Sequence, residues 1–270
     1  MQQVQSSIAA PAEIQQIASK YKMGAIGNEF GHNTQLAQAR RRGGYVLLVF
    51  ALLLCLFGLA SMAGGAAGWV FILIAIFPGG FSLYCFSWAS GLENKAIKVY
   101  LNEKGFIYKD GNNAAQPFRW DQITQVWRNV IRVYRQGASK NSAPIRIMHA
   151  YTIQRADGYK VTLNDDISLM EIVGDVISKQ TTKVLLPLAQ ESYAKGDTVS
   201  FGPLSLNQQG LIKDQNVLPW QQIEAVDTQD GTVRVKRQGK WSNWGDANKI
   251  PNLFVFLNLT ESILQQRNGG

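Results

Sequence analysis

The chain has 270 residues, 46% of them hydrophobic, room for one large domain or two modest ones at about 150 residues each. Only 17% are charged, with a formal net charge of +8, against about 25% charged in a typical soluble chain; this argues against a charged disordered tail or a coiled coil. Two cysteines exclude a disulfide framework, and with only His32 and His149 besides they leave too few soft ligands for a zinc site, so no metal or cofactor is expected.

Residues 1–43 form a first segment. After Pro11, Ile14, Ile17, Ala18 and Tyr21 recur at i, i+3, i+4 and i+7, which predicts a short amphipathic helix. Gly24 to Ala39, polar and glycine-bearing, reads as a connector.

Two uncharged runs follow, 44–63 and 68–88. At about 1.5 Å rise per residue each reaches about 30 Å, the thickness of a bilayer's hydrocarbon core. Buried core helices seldom exceed about 14 wholly apolar residues, so a transmembrane helical hairpin over 44–88 is expected. Gly64, Gly65, Ala66 and Ala67 leave room only for a tight turn. Arg40, Arg41 and Arg42 precede the first run, and Lys95 and Lys98 follow the second. Such flanks stay on the cytoplasmic side, which predicts a plasma-membrane protein with both termini and everything after Ser90 in the cytoplasm. Pro78 removes a donor inside the second run and predicts a kink. Cys55 and Cys85 differ in depth by about 12 Å at helical rise, too far for a disulfide. Both are expected free, with the shallower Cys85 a palmitoylation candidate.

The remainder is duplicated. Leu101-Asn102-Glu103-Lys104-Gly105-Phe106-Ile107 returns as Leu206-Asn207-Gln208-Gln209-Gly210-Leu211-Ile212. Trp120, Ile123 and Val126 return as Trp220, Ile223 and Val226, and Arg132 to Gly137 returns as Arg234 to Gly239. The second copy offers seven strand-like runs: 198–201, 203–207, 210–213, 216–219, 223–229, 232–238 and 240–247. Thr232 to Lys236 alternates apolar and basic residues with period two. A helix is expected next, with Pro251 at its first position and Leu253, Phe256, Leu257, Thr260 and Leu264 at helical spacing. In the first copy Ser168 and Glu171 suggest a capping box, followed by Leu169, Ile172, Val173, Val176 and Ile177 as an apolar face. Pro187 to Lys195 reads as a separate short helix stopped by Gly196.

Seven short antiparallel strands closed by one helix is the layout of a pleckstrin-homology-like barrel. With two spanning helices, tandem G-F-I…W-x-x-I-x-x-V blocks and a closing I-P-N, residues 20 to 265 resemble a family of bacterial two-helix membrane proteins related to bacterial pleckstrin-homology-like domain proteins. The resemblance implies no activity, cofactor or catalytic residue. The expected fold is α+β: the hairpin, a first barrel over 91–180, a helical linker over 181–197 and a second barrel over 198–266, each barrel closed by a C-terminal helix.

Trp120 and Trp220, at one place in each copy, are expected to plug the cores with Ile123 and Ile223. Basic residues gather on the same strand of each copy: Arg128, Arg132, Arg135, Lys140 and Arg146 in the first, Arg234, Lys236, Arg237 and Lys240 in the second. The plain reading is a solvated face; a positive face close to an anionic leaflet also suits lipid contact. Trp241 and Trp244, three apart on a strand, point to opposite faces, one toward the core and one toward a partner, lipid or the other barrel. Asp110, Asp165 and Asp166 stand beside turns, His149 lies in a strand, and no nucleophile or phosphate-cradling motif appears. The sequence therefore reads as a non-enzymatic, membrane-anchored scaffold that presents its barrels to protein partners or to copies of itself, with anionic-lipid sensing as the alternative. Nucleic-acid binding is not expected, because the basic excess is modest and no recognition motif is present.

Overall fold

The computed structural model describes residues 10–63, 67–93, 97–111, 113–137 and 142–268. The tight turn expected at Gly64 to Ala66, the flanking Lys95 and the candidate Lys140 lie outside these residues.

Helix α1 (Ala12–Lys20) buries Ile14 and Ala18. It ends at Lys22, which takes a left-handed φ of 53°, and the Met23 N–H bonds back to the Ala18 carbonyl at 2.9 Å. The segment expected to be a connector contains strand β1 (Ile26–Phe30) and the start of helix α2 (Thr34–Ala63). Its two apolar residues, Ile26 and Phe30, are four apart and so share one strand face, a pattern too sparse to stand out from polar coil.

Helix α3 (Trp69–Glu93) follows α2, and Pro78 lies inside it. The stretches Ala37–Ala63 and Trp69–Gly91 are long and apolar enough to cross a membrane, and only 11% and 17% of an 18-residue apolar window in each is buried. A soluble core helix would be mostly buried; here Phe77 is 82% exposed and Val46 69%. α2 starts ten residues before the apolar run, so Arg40 lies within the helix, with its guanidinium 4.0 Å from the Trp88 ring. The helices pack antiparallel through small residues. A Cβ on Gly58 would stand 2.7 Å from the Gly68 carbonyl, and the buried Ser82 hydroxyl donates to the Gly44 carbonyl at 2.9 Å. Cys55 and Cys85 are free thiols. Cys85 is only 4% exposed, on the face that meets Gly44, which removes it as an accessible acylation site.

The rest of the chain forms two sheet groups. In the first, β1, β2 (Ile97–Asn102), β3 (Gly105–Asp110) and β4 (Gln116–Arg119) make a four-stranded sheet in that order. β5 (Ile123–Val133), β6 (Arg146–Arg155) and β7 (Lys160–Asn164) make a three-stranded antiparallel sheet, and helix α4 (Met170–Ala194) follows. In the second, β8 (Val199–Phe201), β9 (Leu204–Leu206), β10 (Gly210–Lys213) and β11 (Asn216–Pro219) repeat the four-stranded sheet. β12 (Ala225–Gln229), β13 (Thr232–Arg237) and β14 (Lys240–Asp246) repeat the three-stranded one, before helix α5 (Leu253–Asn268).

This correspondence relocates the start of the first module. Its first strand is β1, not a strand after residue 91, so the helical hairpin is inserted between strands one and two. The second module joins the matching strands β8 and β9 with Gly202 and Pro203 alone. An antiparallel helix pair returns to the end where it began, so it can replace a tight turn between neighbouring strands.

The duplicated glycines are steric necessities. A Cβ on Gly105 would lie 2.1 Å from the Phe118 carbonyl oxygen, and one on Gly210 2.0 Å from that of Leu218. The duplicated tryptophans each open a 3₁₀ turn and donate from the indole to the neighbouring hairpin, Trp120 to Glu103 O at 3.1 Å and Trp220 to Asn207 O at 2.8 Å. They are 6% and 1% exposed, and Ile123 and Ile223 are 1% and 5% exposed. The second core gathers Phe201, Leu206, Leu211, Val233, Val235 and Phe256 around Trp220.

The helices differ from expectation in three ways. Ser168 and Glu171 form no capping box, because Leu169, with a left-handed φ of 54°, is the residue that caps α4. Pro251 is likewise not helical: Asn252, also at φ 54°, stands between it and α5. Finally, residues 170–177 and 187–194 are parts of the single helix α4, with Pro187 inside it. The proline removes one backbone bond, but the helix beyond it stays packed, since Leu185, Leu186, Ala189 and Tyr193 join the second core. α4 therefore belongs to both modules. It ends as α1 does, with a left-handed residue (Gly196, φ 90°) and a bond from Asp197 N–H to Ser192 O of 3.1 Å.

Candidate functional site

The basic residues do not share one strand in the two modules. Arg128 and Arg132 lie on β5, Arg135 lies beyond its end and Arg146 opens β6; Arg234, Lys236 and Arg237 lie on β13, and Lys240 opens β14. The blocks that begin at Arg132 and Arg234 both describe a strand running into a left-handed glycine, Gly137 or Gly239, but on successive strands. The strand lengths cause the mismatch: β5 has 11 residues, its counterpart β12 only 5.

In the second module Arg234 and Lys236 are spent internally. Arg234 grips Asp227 with two hydrogen bonds of 2.9 and 2.5 Å and lies 4.6 Å from the Trp241 ring, and Lys236 pairs with Glu224 at 3.4 Å. Trp241 is 41% exposed beneath that guanidinium. Trp244 is half-buried against the core, at the register shift where β14 bulges opposite Val233 and Arg234. In the first module Arg128 donates to the buried Tyr151 hydroxyl at 3.2 Å and faces the Phe254 ring at 5.6 Å. Burial raises the Tyr151 pKa above its ordinary value. Arg132 stands 3.9 Å from the exposed Asp230.

The carboxylates sit in local roles. Asp165 accepts from the His149 backbone N–H at 3.0 Å and lies 3.4 Å from its Nδ1, and Asp166 N–H donates to Asn164. Asp121 and Asp157 are held below the usual carboxylate range, first by hydrogen bonds from Arg119 and Arg155 respectively. Among the described residues no three His, Cys, Asp or Glu side chains gather as metal ligands would.

The most distinctive geometry is a pair of equivalent grooves, one filled and one that no described residue occupies. Each lies between the fifth strand of a module, an edge strand, and that module's C-terminal helix. In the first module the turn before α5 occupies the groove beside β5. Asn252 N–H donates to Val126 O at 2.8 Å, Val126 N–H donates to Asn252 Oδ1 at 2.9 Å, and Asn252 Nδ2 donates to Thr124 O at 2.8 Å. Asn252 thus pairs with the edge strand as another strand would, and its left-handed backbone, which asparagine tolerates best among non-glycine residues, aims both of its amides at β5. Leu253 to Val255 then line a contact with Ser178, Thr181 and Thr182 of α4.

In the second module the equivalent place is a cleft of about 590 Å³ between β12 and α5. Its walls are Ala225, Val226, Leu257 and Leu264, with Glu224, Asp227 and Glu261 around the rim. Val226 stands opposite Val235 as Val126 stands opposite Ile153. In the sequence Val226, Leu257 and Leu264 read only as repeat and helix-face residues, not as a site. The signal was the matched pair Val126 and Val226, each three residues after a W-x-x-I isoleucine, together with the Asn of I-P-N.

The chain belongs to a family of unknown function (DUF6585), whose model matches residues 1–269. No curated protein matches it.

Proposed function

We propose that this protein is a membrane-anchored, non-catalytic scaffold whose second module receives an extended segment of a protein partner along β12. The hairpin of α2 and α3 spans the plasma membrane. Arg40 to Arg42 and Lys98 at its open end keep both termini and both modules on the cytoplasmic side. The modules are of the bacterial pleckstrin-homology-like kind. Four strands, three strands and a C-terminal helix in each copy support that assignment.

The observation that carries the reading is the filled groove beside the vacant one. The first module buries its edge strand with a protein segment that bonds Val126 on both N–H and C=O; in the second, no described residue bonds the outer edge of the matching strand or fills the apolar trough. Edge strands recruit further strands through their free backbone groups, while side-chain pockets select among them. Glu224 and Asp227 at the rim already pair with Lys236 and Arg234, which leaves Glu261 to favour a segment carrying Lys or Arg beside its apolar residues.

A photo-crosslinker placed at Leu257 in the full chain, in native membranes, tests this. The expected adduct maps to one extended apolar and basic segment of a partner and is lost on Val226→Pro, which removes the outward N–H without touching the β12–β13 ladder. Adducts only to lipid or within the chain, or adducts indifferent to Val226→Pro, would refute it.

A further inference from the structure

We infer that the paired ends of β5 and β6, with Tyr134 and Ile145 just beyond them, are a second membrane contact, one that inserts apolar side chains into an anionic bilayer surface. The inference depends on neither the β12 groove nor its partner.

Between Asp121 and Asp157 the chain has no acidic residue, while it carries Arg128, Arg132, Arg135, Lys140, Arg146 and Arg155. The described part of this stretch forms two paired strands longer than their counterparts: β5 and β6 have 11 and 10 residues, whereas β12 and β13 have 5 and 6. The added length is a two-stranded ribbon, with Arg132 opposite Ile147 and Val133 opposite Arg146. Isolated ribbons are marginal in water, so an extension of this kind needs something to lie against.

Its apolar residues are unusually open. Ile131 is 46% exposed, Tyr134 45%, Ile145 64% and Ile147 44%. Ile131 and Ile147 belong to neighbouring cross-strand pairs, so they project from opposite faces of the ribbon. A docking protein would cover one face; immersion in an interface covers both. Arg132, Arg135 and Arg146 stand among these residues, and among the described residues neither Arg135 nor Arg146 has a carboxylate partner. Among those residues Arg132 has only Asp230, at 3.9 Å and itself 79% exposed. Apolar wedges ringed by arginine, with a tyrosine at the margin, suit the headgroup region of an anionic leaflet. A nucleic acid would use the arginines but leave the isoleucines in water.

The test uses the full chain in lipid nanodiscs with Cys55→Ala and Cys85→Ala, and an environment-sensitive fluorophore on Ile145→Cys. In discs of phosphatidylcholine with phosphatidylglycerol the emission is expected to shift to the blue and rise several-fold over discs of phosphatidylcholine alone. Arg132→Glu with Arg146→Glu returns it to the phosphatidylcholine value, and a fluorophore on Lys195→Cys stays unchanged throughout. Equal emission in the two discs, a response that survives the charge reversal, or a shift produced equally by soluble duplex DNA would overturn the inference.

Discussion

Asn252→Ala tests the seam between the modules. Two side-chain hydrogen bonds are lost, the part-buried one from Val126 N–H and the exposed one to Thr124 O. Each contributes about 0.5–1.5 kcal/mol net, with the exposed bond at the low end. Alanine must also adopt the left-handed φ of 54° that Asn252 holds, at a cost of about 1–2 kcal/mol. The expected loss is therefore about 2–4 kcal/mol. Asn252→Gly separates the contributions: it keeps the backbone bond to Val126 O, accepts the left-handed conformation freely and loses only about 1–2 kcal/mol. The assay is denaturant unfolding of the full chain in detergent, paired with hydrogen exchange of β5 peptides. Both variants should speed exchange at Val126, with the alanine variant the less stable. Unchanged unfolding and unchanged β5 protection in both would refute the reasoning that Asn252 holds the edge strand.

Leu169 occupies the same left-handed place before α4 as an exposed leucine, so Leu169→Asn should raise stability by about 1 kcal/mol, measurable as a higher denaturation midpoint. Trp220→Ala should cost about 3–5 kcal/mol in the same assay, since its ring is 1% exposed and its indole N–H is bonded. Gly210→Ala should destabilise by at least about 1–3 kcal/mol, because the new methyl meets a backbone carbonyl that cannot rotate away. Asp121, Asp157 and Asp246 have pKa values lowered in the fold, so their contribution is complete above the unfolded value of about 4 and disappears as pH falls through the folded values. The melting temperature should accordingly drop on acidification below that point, and a flat profile there would contradict these pairings.

Much of the architecture was legible because it rests on local pattern. Uninterrupted apolar runs marked α2 and α3, and alternation with glycine turns marked all seven strands of the second module. Gly105, Gly210, Trp120 and Trp220 recur because one backbone contact and one indole bond recur. What escaped was non-local. β1 carries only two inward apolar residues, and its partner β2 lies beyond the whole helical hairpin, so nothing near it in sequence announces a strand. Pro187 looked like a helix boundary because packing on the second core, which sustains α4 across it, is invisible in a window of ten residues. The basic strands looked equivalent because a strand ending in R-Q-G reads alike whether it is fifth or sixth. The grooves are a property of edges, and only pairing tells which strand is an edge.

Residue-resolved amide exchange of the purified full chain, free of partners, bears most directly on the filled and vacant grooves. Val126, bonded by Asn252, should exchange slowly, while Val226 at the corresponding place on β12 should exchange orders of magnitude faster. Equal and strong protection at both amides would mean that the second groove is already closed by the chain itself, and would contradict a site held open for a partner.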